Sequence, residues 1–400
     1  MERDQASKFV NDLLRLMVSR NGSDLFLTAD FPPAIKVDGK VTKVSPQPLT
    51  GQHTLALTRS IMNDKQAAEF ERTKECNFAV APQGIGRFRV NAFVQQGNVG
   101  LVLRTIPQVL PTIDSMNLPH ILKDIAMTKR GLVLVVGATG SGKSTSLAGM
   151  IDHRNANAPG HIISVEDPIE FIHPHKKSIV NQRELGFDTD SFGDALKNAM
   201  RQAPDVILIG EIRDSDTMEA AITFADTGHL CLATLHSTNA NQSFERILNF
   251  FPEPRHPQIL MQLSLNLRCI ISQRLVPGVD GKRVAAIEIL MDTPRIKELI
   301  KRGQMDVVKE AMEQGIQEGC QTFDHALLML YKESKISLEQ ALINADSANN
   351  LRIKVKLEGL RGDDALDKLL EEDVAPAKDK PAGPMHIQGL RSASSPFRKI

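Results

Sequence analysis

Eight consecutive residues, Gly137, Ala138, Thr139, Gly140, Ser141, Gly142, Lys143 and Ser144, carry the spacing G-x-x-x-x-G-K-[ST], and Thr145 follows them. The glycines let backbone N–H groups turn inward around phosphate oxygens. Lys143 supplies a point charge for the β- and γ-phosphates of a nucleotide, and Ser144 offers a hydroxyl to magnesium. A helix starting at Lys143 would aim its positive end at the same place. Two acidic stretches follow. In "SVEDPIEFIH", Ser164 to His173, the carboxylates Glu166, Asp167 and Glu170 lie within five residues. Charges that close repel unless water, a cation or hydrogen bonds separate them. In "PDVILIGEIRD", Pro204 to Asp214, the apolar run Val206 to Ile209 ends at Gly210-Glu211. A nucleotide-hydrolysing strand ordinarily ends there in Asp, so Glu211 is the carboxylate that replaces it. Finally, "GHLCLATLHSTNA" brackets a strand with His229 and His236. His236, at the C-terminal end, is placed to donate a hydrogen bond to a γ-phosphate, and His229 is a second candidate.

These residues need a scaffold. From Gly131 onward short apolar runs alternate with helical patterns: "GLVLVVG", a helix from Lys143, "HIISVE", a helix over about 191–203, "DVILIG", a helix from Asp216, and "HLCLATLH". That alternation predicts an α/β fold with a doubly wound, mainly parallel sheet, whose functional side chains gather at the strands' C-terminal ends. After about Pro294 the pattern is helical. The first hundred residues read differently. An amphipathic helix over 5–20 precedes "SDLFLT" and "AIKVDGKVTKV", with Asp38-Gly39 as a hairpin turn, and then "CNFAV", "GRFRVNAFV" and "VGLVLRTI". This predicts a small α+β domain with a mostly antiparallel sheet over 1–105. The proline-rich segment 106–119 reads as a linker, 120–360 as the nucleotide-binding domain with C-terminal helices, and 363–400 as a disordered tail. On the strand around Phe88, Arg87 and Arg89 project to one face, and Arg104 ends the next strand.

Composition narrows the function. Lys and Arg number 48, matched by 48 Asp and Glu. No net field therefore draws the chain to nucleic acid or anionic lipid. One Tyr and no Trp leave little for a single-strand stacking groove. The four cysteines are scattered without a C-x-x-C pair, so neither a zinc ribbon nor a disulfide framework is expected. No apolar run is long enough for a membrane span, and the charged N-terminus lacks a signal-peptide core. The expectation is a cytoplasmic protein without direct membrane insertion.

The run "MRQAPDVILIGEIRD", Met200 to Asp214, resembles the signature of the secretion ATPase superfamily, which serves type II secretion and type IV pili. "SVEDPIEF" resembles its acidic box and "GHLCLATLH" its histidine box. With "SDLFLTADFPPAIKVDGKV" these are similar to the pilus retraction branch, PilT/PilU-type, over about residues 5–350. Assembly-type members usually carry paired cysteine motifs, and this chain has none. The stretch from Phe244 to Pro277 and the long tail look closer to PilU-type than to PilT-type members. In "RIKELIKR", Arg295 to Arg302, Lys297 stands where PilT-type proteins carry arginine. Lysine keeps the charge but not the bidentate fork, which favours an accessory motor.

The resemblance implies a PAS-like N-terminal domain followed by a RecA-like P-loop ATPase core. It implies Glu170 as the base acting on the attacking water, Glu211 reaching magnesium through water, and Ser144 as the nearest direct ligand. Glu166 and His229 join the nucleotide-binding set, with Arg104, Arg87 and Arg89 as arginine fingers. The implied assembly is a homohexamer with sites completed at a subunit boundary. ATP and magnesium are the implied ligands, and a PilT-type ATPase and an inner-membrane pilus platform protein the partners, at the inner-membrane base of the pilus machine. A nucleic-acid translocase, or a scaffold that binds ATP without turnover, stands as the alternative on the same core.

Overall fold

The computed structural model describes residues 2–107 and 109–358; the tail expected over 363–400 lies outside them. The chain begins with α1 (Arg3–Ser19), whose Ala6, Val10, Leu13, Leu14 and Met17 are all buried. That is the stripe a period of 3.6 requires. It lies on a six-stranded antiparallel sheet in the order β3-β2-β1-β6-β5-β4. The strands are β1 (Asp24–Leu27), β2 (Ala34–Val37), β3 (Lys40–Lys43), β4 (Glu75–Val80), β5 (Arg87–Gln95) and β6 (Asn98–Ile106). Asp38 and Gly39, both at positive φ, make the tight β2–β3 turn as expected. Two helices between β3 and β4 were not anticipated: α2 (Gly51–Ile61) and α3 (Asp64–Thr73). Each starts in a reciprocal capping box, Thr50 with His53 and Asn63 with Gln66. The second of these is a readable N-terminal signal.

The second unit starts with α4 (Ile121–Ala126) and β7 (Gly131–Val136). It continues through α5 (Lys143–Asn157), β8 (Gly160–Glu166), β9 (Ser178–Glu184), α6 (Phe192–Ala199), β10 (Val206–Ile209), α7 (Ser215–Asp226) and β11 (Leu230–Leu235). Then come α8 (Ala240–Leu248), α9 (His256–Asn266), β12 (Leu267–Pro277) and β13 (Arg283–Met291). Helices α10 (Pro294–Arg302), α11 (Val308–Gln314), α12 (Phe323–Lys332), α13 (Leu338–Asn344) and α14 (Ala348–Leu357) complete it. The sheet order is β13-β12-β7-β11-β10-β8-β9, parallel throughout except for the edge strand β13.

Strands β7, β10 and β11 are buried along their whole length. Helices on both faces exclude water there, which is why these strands read as continuous apolar runs. Ile113 and Leu118, in the proline-rich segment, are buried against Leu122, Ile125 and Met150 of this unit. The C-terminal helices gather around Phe323, Leu327 and Val276. Arg274 of β12 stacks on the Phe323 ring and pairs with Asp346 at 2.8 Å, fixing them to the sheet.

Ile209 is fully buried on β10, the strand that delivers Glu211. Ile209→Ala should lower unfolding free energy by about 2–5 kcal/mol through lost transfer energy and a residual cavity. Urea denaturation followed by circular dichroism measures this. A loss below about 1 kcal/mol would mean that the strand does not lie in a packed core.

Candidate active site

The segment Gly137 to Thr145 joins the C-terminal end of β7 to the start of α5. Its turn is possible only with glycine at the helix cap. Gly142 has φ 89°, and a Cβ there would sit 2.7 Å from the Gln273 side-chain nitrogen. Lys143 is buried, and its Nζ donates to the carbonyls of Gly137 at 2.8 Å and Ala138 at 3.1 Å. Burial pushes its pKa down, while the charge of Glu211 pulls it back up. Ser146 on α5 donates to Gln273 Oε1 at 2.7 Å, tying the helix to β12. Ser141 Oγ is buried without a hydrogen-bond partner among the described residues. A buried, unpartnered hydroxyl in this loop fits an anion that accepts from it.

Glu166 ends β8. Its Oε1 accepts from Ser164 Oγ at 2.6 Å and Gln182 Nε2 at 3.1 Å. Burial raises its pKa, and these hydrogen bonds, with the Glu170 backbone, only partly offset that. Glu170 differs. It is exposed to the cavity, and its carboxylate has no ion pair or hydrogen bond to protein among the described residues. One carboxylate is spoken for and the other is free to meet a ligand.

Glu211 follows the end of β10. Its Oε1 lies 2.9 Å from His236 Nε2, beyond the end of β11. Its Oε2 accepts from Arg213 Nε at 3.0 Å and Nη2 at 2.8 Å, two nitrogens of one guanidinium on a single oxygen. Arg213 Nη1 also reaches Asp167 Oδ2 at 3.1 Å. The acidic loop and the β10 carboxylate thus share one guanidinium. Gly210 allows this closeness, since a Cβ there would meet the Glu166 Cα at 3.0 Å.

One cavity of 860 Å³ collects most of the expected residues. Thr139, Gly140, Gly142, Lys143, Ser144, Thr145, Glu166, Glu170, Glu211, His236 and Arg104 all line it. Gly137, Ala138 and Ser141 complete the loop behind them. Apolar Met116, Leu118, Leu275 and Ala285 line it too, together with Arg283 and a buried His173 whose pKa is pushed down to about 4 by desolvation. The donors are hard oxygens: the hydroxyl of Ser144 and the carboxylates of Glu170 and Glu211. No group of three or more His, Cys, Asp or Glu forms a metal cage among the described residues. Such a set fits magnesium, which keeps most of its waters and is bound through phosphates with one or two protein ligands.

Three expected residues lie elsewhere. His229 sits at the N-terminal end of β11, where its carbonyl accepts from Gly131 and its ring abuts Phe224. The loop is at the other end of these strands, about 20 Å away by strand rise. His229 is therefore not a ligand of a nucleotide on its own chain's loop. Arg87 does not line the cavity; its Nη2 pairs with Glu184 Oε2 at 3.1 Å. Arg89 is exposed opposite Arg104 across the β5–β6 pair, outside the cavity. Arg104 itself is held by the buried Asp24, Nε to Oδ1 at 2.8 Å. Sequence reasoning missed Gln182 and Gln273, whose strands it did not predict. It also missed Arg213, which stood inside a quoted motif, because nothing in the spacing shows that one arginine spans two acidic segments.

Comparison with known proteins gives the family. The family model described as type II/IV secretion system protein matches residues 3–351. Type IV pilus ATPase PilU of Pseudomonas aeruginosa is 54% identical over 373 residues, 93% of this chain and 98% of that protein. Type IV pilus retractation ATPase PilT of the same organism is 42% identical over 341 residues, 85% of this chain and 99% of that one. A crystal structure of the pilus retraction motor PilT with bound ADP superposes with a TM-score of 0.81 at 39% identity, covering 86% of this chain and 98% of that one. On these matches the chain, whose phosphate loop, Glu166, Glu170, Glu211 and His236 meet at one cavity, belongs to the type II/IV secretion system protein family, in the branch that holds PilT and PilU.

Proposed function

We propose that this chain is an ATP-hydrolysing motor of type IV pilus retraction and twitching motility, accessory to a PilT-type motor and working as a homohexamer at the cytoplasmic, inner-membrane base of the machine. The observation that carries the chemistry is an unpaired carboxylate, Glu170, facing the same cavity as the loop lysine. Phosphoryl transfer asks for positioning and charge neutralisation more than covalent chemistry. The loop N–H groups, the N-terminus of α5 and Lys143 hold the phosphates. Glu170 takes the proton of the attacking water. Ser144 and, through water, Glu211 would hold magnesium, which when bound neutralises charge between the β- and γ-phosphates. Arg213 and His236 fix the Glu211 carboxylate so that it does not swing away from that place. The apolar side chains of Met116, Leu118, Leu275 and Ala285 suit the base. The 54% identity to a type IV pilus ATPase supports the pilus role; for the accessory role the support is Lys297, paired with Asp292 at 2.8 Å, which keeps the charge of the α10 motif without the bidentate fork of arginine. An inner-membrane platform protein would be the docking partner.

Two substitutions separate binding from chemistry. Lys143→Ala removes the charge at the β- and γ-phosphates and should weaken binding of a fluorescent ATP analogue by at least about tenfold. Affinity within a few-fold of wild type would count against the loop assignment. Glu170→Gln should bind ATP normally and release phosphate at least about a hundredfold more slowly, because the amide cannot take a proton. If Glu211→Gln stopped turnover while Glu170→Gln ran near wild type, the two carboxylates would have exchanged roles.

The expectation was an arginine supplied across a subunit boundary; because Arg104 lines the cavity of its own chain, we propose instead that its contribution is made in cis. Arg104→Ala and Lys143→Ala subunits, mixed one to one, should then recover no activity beyond the sum of the separate rings. Were the arginine supplied by the neighbour, about a quarter of the boundaries would be intact in randomly mixed closed rings. Recovery on that scale, with mixed rings confirmed by native mass spectrometry, would overturn the cis arrangement.

A further inference from the structure

The loop that carries Glu170 has no regular secondary structure from Asp167 to Pro174. It cannot place a carboxylate by itself. Two side chains of the edge strand β9 hold its backbone. Gln182 donates to Phe171 O at 2.9 Å and accepts from His173 N at 2.8 Å. Glu184 accepts from Ile169 N at 3.4 Å. Ile169, next to Glu170, is buried and anchors the loop between these two points.

Glu184 is 6% exposed, in a place where a carboxylate needs a partner. The partner comes from the other domain. Glu184 Oε2, the oxygen that takes the Ile169 N–H, also accepts from Arg87 Nη2 at 3.1 Å. Among the described residues this is the one ion pair between the N-terminal sheet and the ATPase unit. Arg87 Nε is buried beside it with no hydrogen-bond partner. Glu184 alone therefore does not satisfy the guanidinium.

We propose that Glu184 and Arg87 are positioning residues that tie the docking of the N-terminal domain to the placement of Glu170. With Arg87 seated, Glu184 is neutralised and holds Ile169, so the loop presents Glu170 to the γ-phosphate. When the N-terminal domain moves away, Glu184 loses its cation and is drawn toward water, the Ile169 contact breaks, and the base loses its place. Domain movement and hydrolysis are coupled through one shared carboxylate oxygen. This rests on the reading of Glu170 as the base.

The test uses the purified full chain, with Arg87→Ala, Arg87→Lys, Glu184→Gln, the double variant Arg87→Ala/Glu184→Gln, and Glu170→Gln as reference. Steady-state phosphate release gives kcat and KM, a fluorescent ATP analogue gives affinity, and thermal melting confirms the fold. Arg87→Ala and Glu184→Gln should each lower kcat by about tenfold, with KM and affinity within twofold of wild type. The double variant should fall no further than the worse single one, because both act through one contact. Arg87→Lys should regain most of the activity. Fully multiplicative losses, or wild-type kcat in both single variants beside an inactive Glu170→Gln, would overturn the coupling alone. So would a loss of affinity in Arg87→Ala with Glu184→Gln unchanged, since Arg87 would then be touching nucleotide. A Glu170→Gln enzyme with wild-type kcat would instead remove the base assignment beneath it.

Discussion

Everything at this site depends on the parallel register of β8, β10 and β11. Val165, Ile209 and Ala233 lie side by side across the three strands, and Leu235 pairs with Val136 of β7. One to three residues past that row stand Glu166, Glu211 and His236, and the phosphate loop leaves β7 immediately beyond Val136. A one-residue slip would turn each of these side chains to the opposite face of the sheet. The register is held by strands buried along their length, where exposing an alternate face would cost the whole helix packing. Gly210 is the local condition for it, because a side chain there would force the ends of β8 and β10 apart.

Bringing these ends together concentrates charge, and the structure answers with sharing. Arg213 serves Glu211 and Asp167 at once, and His236 takes the other Glu211 oxygen. Glu166 rests on Ser164 and Gln182 instead of a cation, and desolvation raises its pKa. Lys143 is held by loop carbonyls in a place that lowers its pKa, so an arriving phosphate gains a cation that has little water left to lose. Of the carboxylates Glu166, Asp167, Glu170 and Glu211 at this site, Glu170 alone has no ion pair or hydrogen bond to protein among the described residues, which suits the role of base proposed for it.

Much of this was legible in the sequence, for physical reasons. Glycine spacing reports backbone conformation directly, so Gly137 to Thr145 could be placed between a strand and a helix. Fully buried strands such as "DVILIG" announce themselves by composition. The strands β9, β12 and β13 did not. In "SIVNQRE" the polar Ser178 and Glu184 are buried while Ile179 is exposed, so no apolar alternation marks the strand, and it takes its place from pairing with β8, a contact no local pattern records. The same limit explains the side chains. Arg213 and Glu184 act through partners 46 and 97 residues away, Asp167 and Arg87 respectively. His229 entered the expected set through the resemblance of "GHLCLATLH" to a histidine box, although it precedes the strand and only His236 follows it to the phosphate-loop end. Arg87 and Arg89 were read correctly as sharing a strand face. What that face met could come only from the packing of the two domains.

The most direct test is a structure of the full chain with magnesium and a non-hydrolysable ATP analogue. The account predicts the β- and γ-phosphates on the loop N–H groups with Lys143 turned from the Gly137 and Ala138 carbonyls toward them. It predicts Ser144 Oγ as the nearest protein ligand of the cation, Glu211 one water away, and Glu170 facing the γ-phosphate within reach of a water. A nucleotide seated outside this cavity, or Glu170 turned from the γ-phosphate while Glu211 meets the attacking water, would contradict it.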